Sequence, residues 1–198
     1  MQYTTAGTTV APAIHSPAMA QTSTVYVFDI ALSDVDRGVY EALFLNVACH
    51  PSESEAYMVT RVLAYCLEHC EGLTFTQGLS VAEEPALWER DLTGQLLAWI
   101  EVGAPDATRL HKASKACARV VVYCHKDVNL YLRNLAGTRV HAPERVSIVE
   151  MDRRFIEGIA GKLTRRVTMS VSVSDGELYV DIGGEAFAMT LVRRALPE

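Results

Sequence analysis

Three acids and two cations are placed where they could act together. Glu101 closes the apolar run GQLLAWIEVG, and Arg109 and Lys112 follow within the next eleven residues. If the run is a strand, Glu101 shares a face with Leu97 and Trp99 near the strand's carboxyl end, where open α/β sheets place ligands. An ionised carboxylate there needs a cation or a metal ion, since an unpaired buried charge costs several kcal/mol or raises its own pKa. Arg109, Lys112, Ala113 and Ala116 fall at i, i+3, i+4 and i+7, so both cations lie on one helix face. Carboxylate plus cation makes a structural ion pair, or a metal ligand beside a group that orients water or stabilises a phosphoryl transition state.

Two further acids could complete such a site. Glu83 or Glu84 sits in the turn before Pro85, and Glu53 lies at the start of a strong helix pattern. A hard cation such as Mg²⁺ takes oxygen ligands from one or two carboxylates and water for the remainder. First-turn acids also arise from helix-terminus electrostatics alone, so spacing leaves the metal and ion-pair readings both open.

The elements that must position these residues can be read from periodicity. TVYVFDIALSD and VYEALFLNVACH carry strand patterns about a turn at Asp34–Gly38, an antiparallel hairpin. HPSESEAYMVTRVLAYCLEHC is the strongest helix signal, with Ser52 and Glu55 as a capping box and Met58, Val59, Val62, Leu63, Cys66 and Cys70 at helical spacing. LTFTQGL reads as a short strand, and VAEEPALWERD as a polar turn leading into a short helix after Pro85. GQLLAWIEVG is apolar on both faces and so central. Asp106 caps the next helix, RVVVYCH is a buried strand, and helix, strand (RVSIVEM) and helix follow, the alternation of an α/β sheet. The last forty residues form an antiparallel meander with turns at Asp175-Gly176 and Gly183-Gly184.

A chain of 198 residues, 49% hydrophobic, suits a single domain over residues 21–198. The Thr-, Ala- and Pro-rich residues 1–20 lack a basic leader and an apolar centre, and read as a disordered extension. No stretch approaches the roughly 20 apolar residues of a membrane span. The five cysteines are odd in number, without a CxxC pair, and suit reduced thiols in a cytoplasmic protein. A net charge of −6 argues against nucleic-acid binding by bulk electrostatics. The charge is uneven: residues 1–100 carry 3 Lys/Arg against 12 Asp/Glu, and residues 101–198 carry 15 against 12. That split leaves room for basic patches at Arg153-Arg154, Lys162-Arg165-Arg166 and Arg193-Arg194, which read first as solvated edges of helices and strands.

The chain resembles the YaeQ family of bacterial proteins. The matching blocks are TVYxF, HPSE (His50–Glu53) with Arg61, FTxGL, EPxLW (Glu84–Trp88), WIEVGxPD (Trp99–Asp106), RxxKA (Arg109–Ala113), VVVY (Val120–Tyr123) and DGxLY, in order from about Ala20 to Arg194. The resemblance implies a variant PD-(D/E)XK nuclease fold, a mixed central sheet flanked by helices. That superfamily cuts phosphodiesters with divalent cations held by two acids, assisted by a lysine and often a helix glutamate. Carried over, Glu101 is the strand acid, Glu84 the preceding acid and Glu53 the helix glutamate. The usual lysine position is Gly103, so that role passes to Lys112. Ser52, Arg61, Arg109 and Tyr123 are accessory residues from the same blocks. The resemblance thus implies a Mg²⁺-dependent nuclease or phosphodiesterase acting on DNA or RNA. The alternative is a non-catalytic binding or regulatory protein that keeps the fold, with Lys112 paired directly to Glu101. A purely structural salt-bridge network ranks below both.

Overall fold

Residues 23–76 and 83–197 are described by a computed structural model and form eleven strands and four α-helices. The extension expected at residues 1–20 and the end of the FTxGL block lie outside the described residues. The alternation of β1 (Thr24–Asp34) and β2 (Val39–Cys49) makes the expected antiparallel hairpin, with Asp34 opposite Val39 at the turn. The meander β8 (Arg166–Ser174), β9 (Glu177–Ile182) and β10 (Glu185–Thr190) joins it through parallel pairing of β1 with β8. The result is a five-stranded mixed sheet in the order β10-β9-β8-β1-β2. Asp175 and Gly176 both take positive φ (53° and 75°), the geometry a two-residue turn needs to match the strands' twist.

The second sheet has six strands in the order β11-β7-β6-β5-β4-β3. β5 (Leu96–Val102), β6 (Arg119–Cys124) and β7 (Val146–Glu150) run parallel, joined through α2 (Ala107–Ala116) and α3 (Val128–Leu135). β5 is internal, as its two apolar faces require. The second sheet is the expected mixed sheet flanked by helices, and the hairpin and the meander combine into the first.

The helix α1 (Glu55–Glu68) is buried along most of its length because it packs between layers. One core joins Met58, Val62 and Leu63 of α1, Phe155 and Ile156 of α4 (Arg153–Ala160), Phe28 and Ile30 of the first sheet, and Ile100 and Val121 of the second. Fully burying each such side chain stabilises by about 1.5–3 kcal/mol, enough in sum to hold the sheets on the helices. A second core, with Trp99, Leu110, Val122 and Tyr131, lies beneath α2 and α3 on the other face of the second sheet.

Three local expectations are corrected. Ser54, not Ser52, caps α1: its side chain accepts from Tyr57 N at 3.1 Å, whereas Ser52 Oγ turns back to His50 Nδ1 at 2.6 Å. The HPSE segment is a turn of its own, so the helix begins two residues later than a Ser52 cap would start it, and it ends before the exposed Cys70. The segment after Pro85 is strand β4 (Leu87–Arg90), not helix, because it fills the slot between β5 and β3 (Leu73–Phe75), with Trp88 opposite Trp99 and Thr74. Its helix-forming residues are overridden by two ladders of backbone bonds. The final strand divides at Leu191: β10 stays in the first sheet, and β11 (Val192–Ala195) pairs with β7 in the second.

Candidate functional site

The carboxyl end of β5 is shaped by what its neighbours do not do. β4 follows β5 only as far as Leu87 opposite Ile100, closed by Ala86 N donating to Ile100 O at 3.1 Å. Glu101 and Val102 have β6 on one side and no β4 partner on the other. Gly103 then turns the chain with φ +97°, a conformation that disfavours any side chain, and donates to Tyr123 O at 2.9 Å. Three residues on, Asp106 caps α2 by accepting from Arg109 N at 2.8 Å. Arg109 is thereby set one turn inside α2 and reaches back to the strand end.

There it meets Glu101, which is only 3% exposed. Oε1 of Glu101 accepts from Arg109 Nε and from Trp99 Nε1, each at 2.6 Å, while Oε2 accepts no hydrogen bond from a described residue. Arg109 also donates from Nη2 to the Glu84 carbonyl at 2.5 Å, tying the turn before Pro85 to the same cluster. Burial pushes the Glu101 carboxyl pKa up, and the bonds from Arg109 and Trp99 draw it part of the way back.

Glu53 forms a second acid–arginine pair. It precedes α1 instead of occupying its first turn, and it is buried. Its Oε2 accepts from His50 N at 3.1 Å and from Arg61 Nη2 at 3.3 Å. Arg61 Nη2 stands 3.1 Å from Oε1 and donates to Ala48 O at 2.7 Å, and its guanidinium lies 5.7 Å from the centre of the Phe75 ring. Glu53 Oε1 and Arg61 Nε are buried without a hydrogen bond. Burial raises the Glu53 carboxyl pKa too, with Arg61 the main opposing influence.

The other expected residues are dispersed. Lys112 pairs with Glu83, both side chains largely in solvent, and does not pair with Glu101; the cation on Glu101 is Arg109. Tyr123 donates to Glu68 Oε1 at 2.7 Å beside the Arg119–Glu68 pair, at the far end of α1 from Glu53. A helix of that length spans about 20 Å, so the Tyr123 hydroxyl takes no part at Glu53. Glu101 and Glu53 are thus each held by an arginine of the chain's own. Among the described residues, no group of three or more His, Cys, Asp or Glu side chains could hold a metal ion. Glu101 Oε1 is taken up by Arg109 and Trp99, which leaves Oε2 as the oxygen that a cation such as Mg²⁺ could reach without displacing Arg109.

Two residues that the motif reading missed adjoin one another here. Burial raises the Tyr57 phenol pKa to about 12, and Arg61, Glu101, Glu53 and Arg109 all act on it, which places it within electrostatic reach of both acids. His125 meets Tyr57 edge to face, ring centres 6.3 Å apart, and its buried Nδ1 has no hydrogen-bond partner. It helps line a cavity of about 260 Å³ with Ala56, Lys126 and Ile156. The signal for His125 was its place directly after the buried strand VVVYC, at the strand's carboxyl end. Tyr57 lies four residues before Arg61, on the same helix face.

Fold and site together define a mixed α/β protein with arginine-held acids about the carboxyl end of a parallel strand. The family model for "YaeQ protein" matches residues 19–191, and the chain belongs to that family. YaeQ of Escherichia coli (strain K12) is 27% identical over 164 residues, covering 82% of this chain and 90% of that protein. YaeQ of Salmonella typhi is 28% identical over 171 residues with the same coverage. The crystal structure of YaeQ from Pseudomonas syringae superposes with a TM-score of 0.79 at 33% identity, covering 90% of this chain and 98% of that one. That from Xanthomonas axonopodis pv. citri gives 0.75 at 30% identity, covering 89% and 100%. No helix among the described residues is long and apolar enough to cross a membrane.

Proposed function

We propose that this chain is a non-catalytic binding or regulatory protein of the cytoplasm, one that retains a nuclease-like core whose acidic cleft is closed by arginine. The observation that carries this reading is the Arg109–Glu101 pair. The cation that a buried Glu101 requires is already supplied from within the chain, and Trp99 shares the same carboxylate oxygen. The net charge of −6 favours a protein partner over a nucleic acid, whose backbone selects basic surfaces. Its five thiols, reduced among the described residues, suit the cytoplasm.

A second reading, Mg²⁺-dependent cleavage of DNA or RNA, is favoured by one observation: Glu101 Oε2 accepts no bond from a described residue at a strand end that β4 leaves open. In that reading Glu84 and Glu101 would be the metal ligands, with Lys112 and Glu53 as the further catalytic residues. The two readings separate in one assay. The full chain, incubated with single- and double-stranded DNA and RNA in Mg²⁺ or Mn²⁺, is expected to leave every substrate intact. Metal-dependent cleavage that Glu101→Ala abolishes while the fold is retained would establish the second reading and overturn the first.

A further inference from the structure

Each of the two sheets has two edges, and three of the four end strands are short or charged. β3 has three residues and β10 has six. β11 has four, two of them Arg193 and Arg194. Natural sheets blunt their edges in these ways, because an unpaired row of N–H and C=O groups is a template for another chain.

β2 has none of these protections. It is an eleven-residue edge strand, Val39–Cys49, paired with β1 along its whole length without a bulge and, among the described residues, bare of strand partners on its other side. Its sequence VYEALFLNVAC contains no proline, lysine or arginine and a single charge, Glu41. At about 3.4 Å per residue the strand is roughly 37 Å long, and of its outward carbonyls Ala48 O already accepts from Arg61 Nη2 at 2.7 Å. Its outward side chains include Tyr40 and Phe44, 62% and 75% exposed, and Val25 on the neighbouring strand is 52% exposed. These are large apolar groups left in water beside an open hydrogen-bonding row.

We propose that β2 pairs with β2 of a second copy of this chain, antiparallel about a two-fold axis, giving one continuous ten-stranded sheet. The edge is complementary to itself under that symmetry, since an antiparallel ladder asks each strand for the same alternation of donors and acceptors. Pairing over the full strand puts the axis at its middle residue, Phe44. Phe44 then faces its own copy, Tyr40 faces Ala48, and each Glu41 faces Val47 of the other chain. No like charges oppose one another. The two Phe44 rings, exposed in the single chain, cover each other in the pair.

The inference rests on the edge alone and is independent of what the acidic cleft does. Sedimentation velocity on the full chain at micromolar concentrations is expected to give twice the monomer mass of 21.8 kDa. Phe44→Lys and Phe44→Glu, exposed substitutions that leave the core untouched, should each halve that mass by opposing like charges across the axis. An equimolar mixture of the two variants should restore it. Backbone amides of β2 should exchange more slowly in the wild-type chain than in either variant, with β1 unchanged. A wild-type chain of monomer mass across that range overturns the proposal. So does a dimer whose mass survives Phe44→Lys, or two monomeric variants that do not recombine.

Discussion

At Glu53 the arginine is as buried as the acid, with side-chain exposures of 4% for Arg61 and 1% for Glu53. At Glu101 the acid is equally hidden, at 4%, but its partner Arg109 keeps 31% of its side chain in water. The Glu53 pair is local: it clamps the HPSE turn to α1 and Arg61 to the end of β2 through Ala48 O. The Glu101 pair bridges β5, α2 and the turn at Glu84, over a gap that β4 leaves open. Two pairs of the same chemistry therefore differ in whether the cation has somewhere else to go. A fully enclosed pair punishes loss of either partner, while a half-exposed arginine can turn to solvent and leave the site changed but the fold standing.

The contrast breaks first under Arg61→Met. This leaves Glu53 buried without its cation and should cost about 3–5 kcal/mol, read as a lowered urea midpoint at neutral pH. Glu101→Ala removes two hydrogen bonds to a charged group and should cost less, about 1.5–3 kcal/mol. Joint replacement of Glu101 and Arg109 by leucine should recover part of that loss, and a loss equal to that of Arg61→Met would erase the distinction between the pairs.

Acidity sharpens the comparison further. Both carboxyls are raised above the ordinary glutamate value of about 4.3. The folded chain holds those protons more tightly than the unfolded one, so their contribution is fully favourable below that value and is lost as pH rises through the folded pKa. Glu101→Gln should therefore lose less stability relative to wild type at neutral pH than at pH near 4, measured by denaturant melts. A difference independent of pH would show that Arg109 and Trp99 cancel the effect of burial, and a larger loss at neutral pH that they outweigh it. The smallest effect belongs to Lys112→Ala. Its exposed pair with Glu83 should contribute no more than about 1 kcal/mol, seen as a nearly unchanged thermal midpoint.

Much of this architecture is legible in the residues. The 3.6-residue spacing of Met58, Val62 and Cys66, the double-faced GQLLAWIEVG and the Asp106 cap fix α1, β5 and α2, because burial and capping act over short stretches. β4 was not legible, since Glu84–Arg90 carries helix formers and becomes a strand only through partners on two other segments, β3 and β5, six to sixteen residues away. The division of the last strand at Leu191 depends likewise on β7, far earlier in the chain. At the site, the need of Glu101 for a cation could be read from its burial, but the choice of Arg109 over Lys112 could not. Both cations share a helix face, and only the tight Gly103 turn and the register of α2 decide which one reaches back.

The central claim is that Arg109 already occupies the place a divalent ion would take at Glu101. Isothermal titration of the full chain with Mg²⁺ and with Mn²⁺ tests it most directly. The account predicts no saturable binding to the wild-type chain. A stoichiometric site in the wild-type chain that Glu101→Gln removes would contradict it.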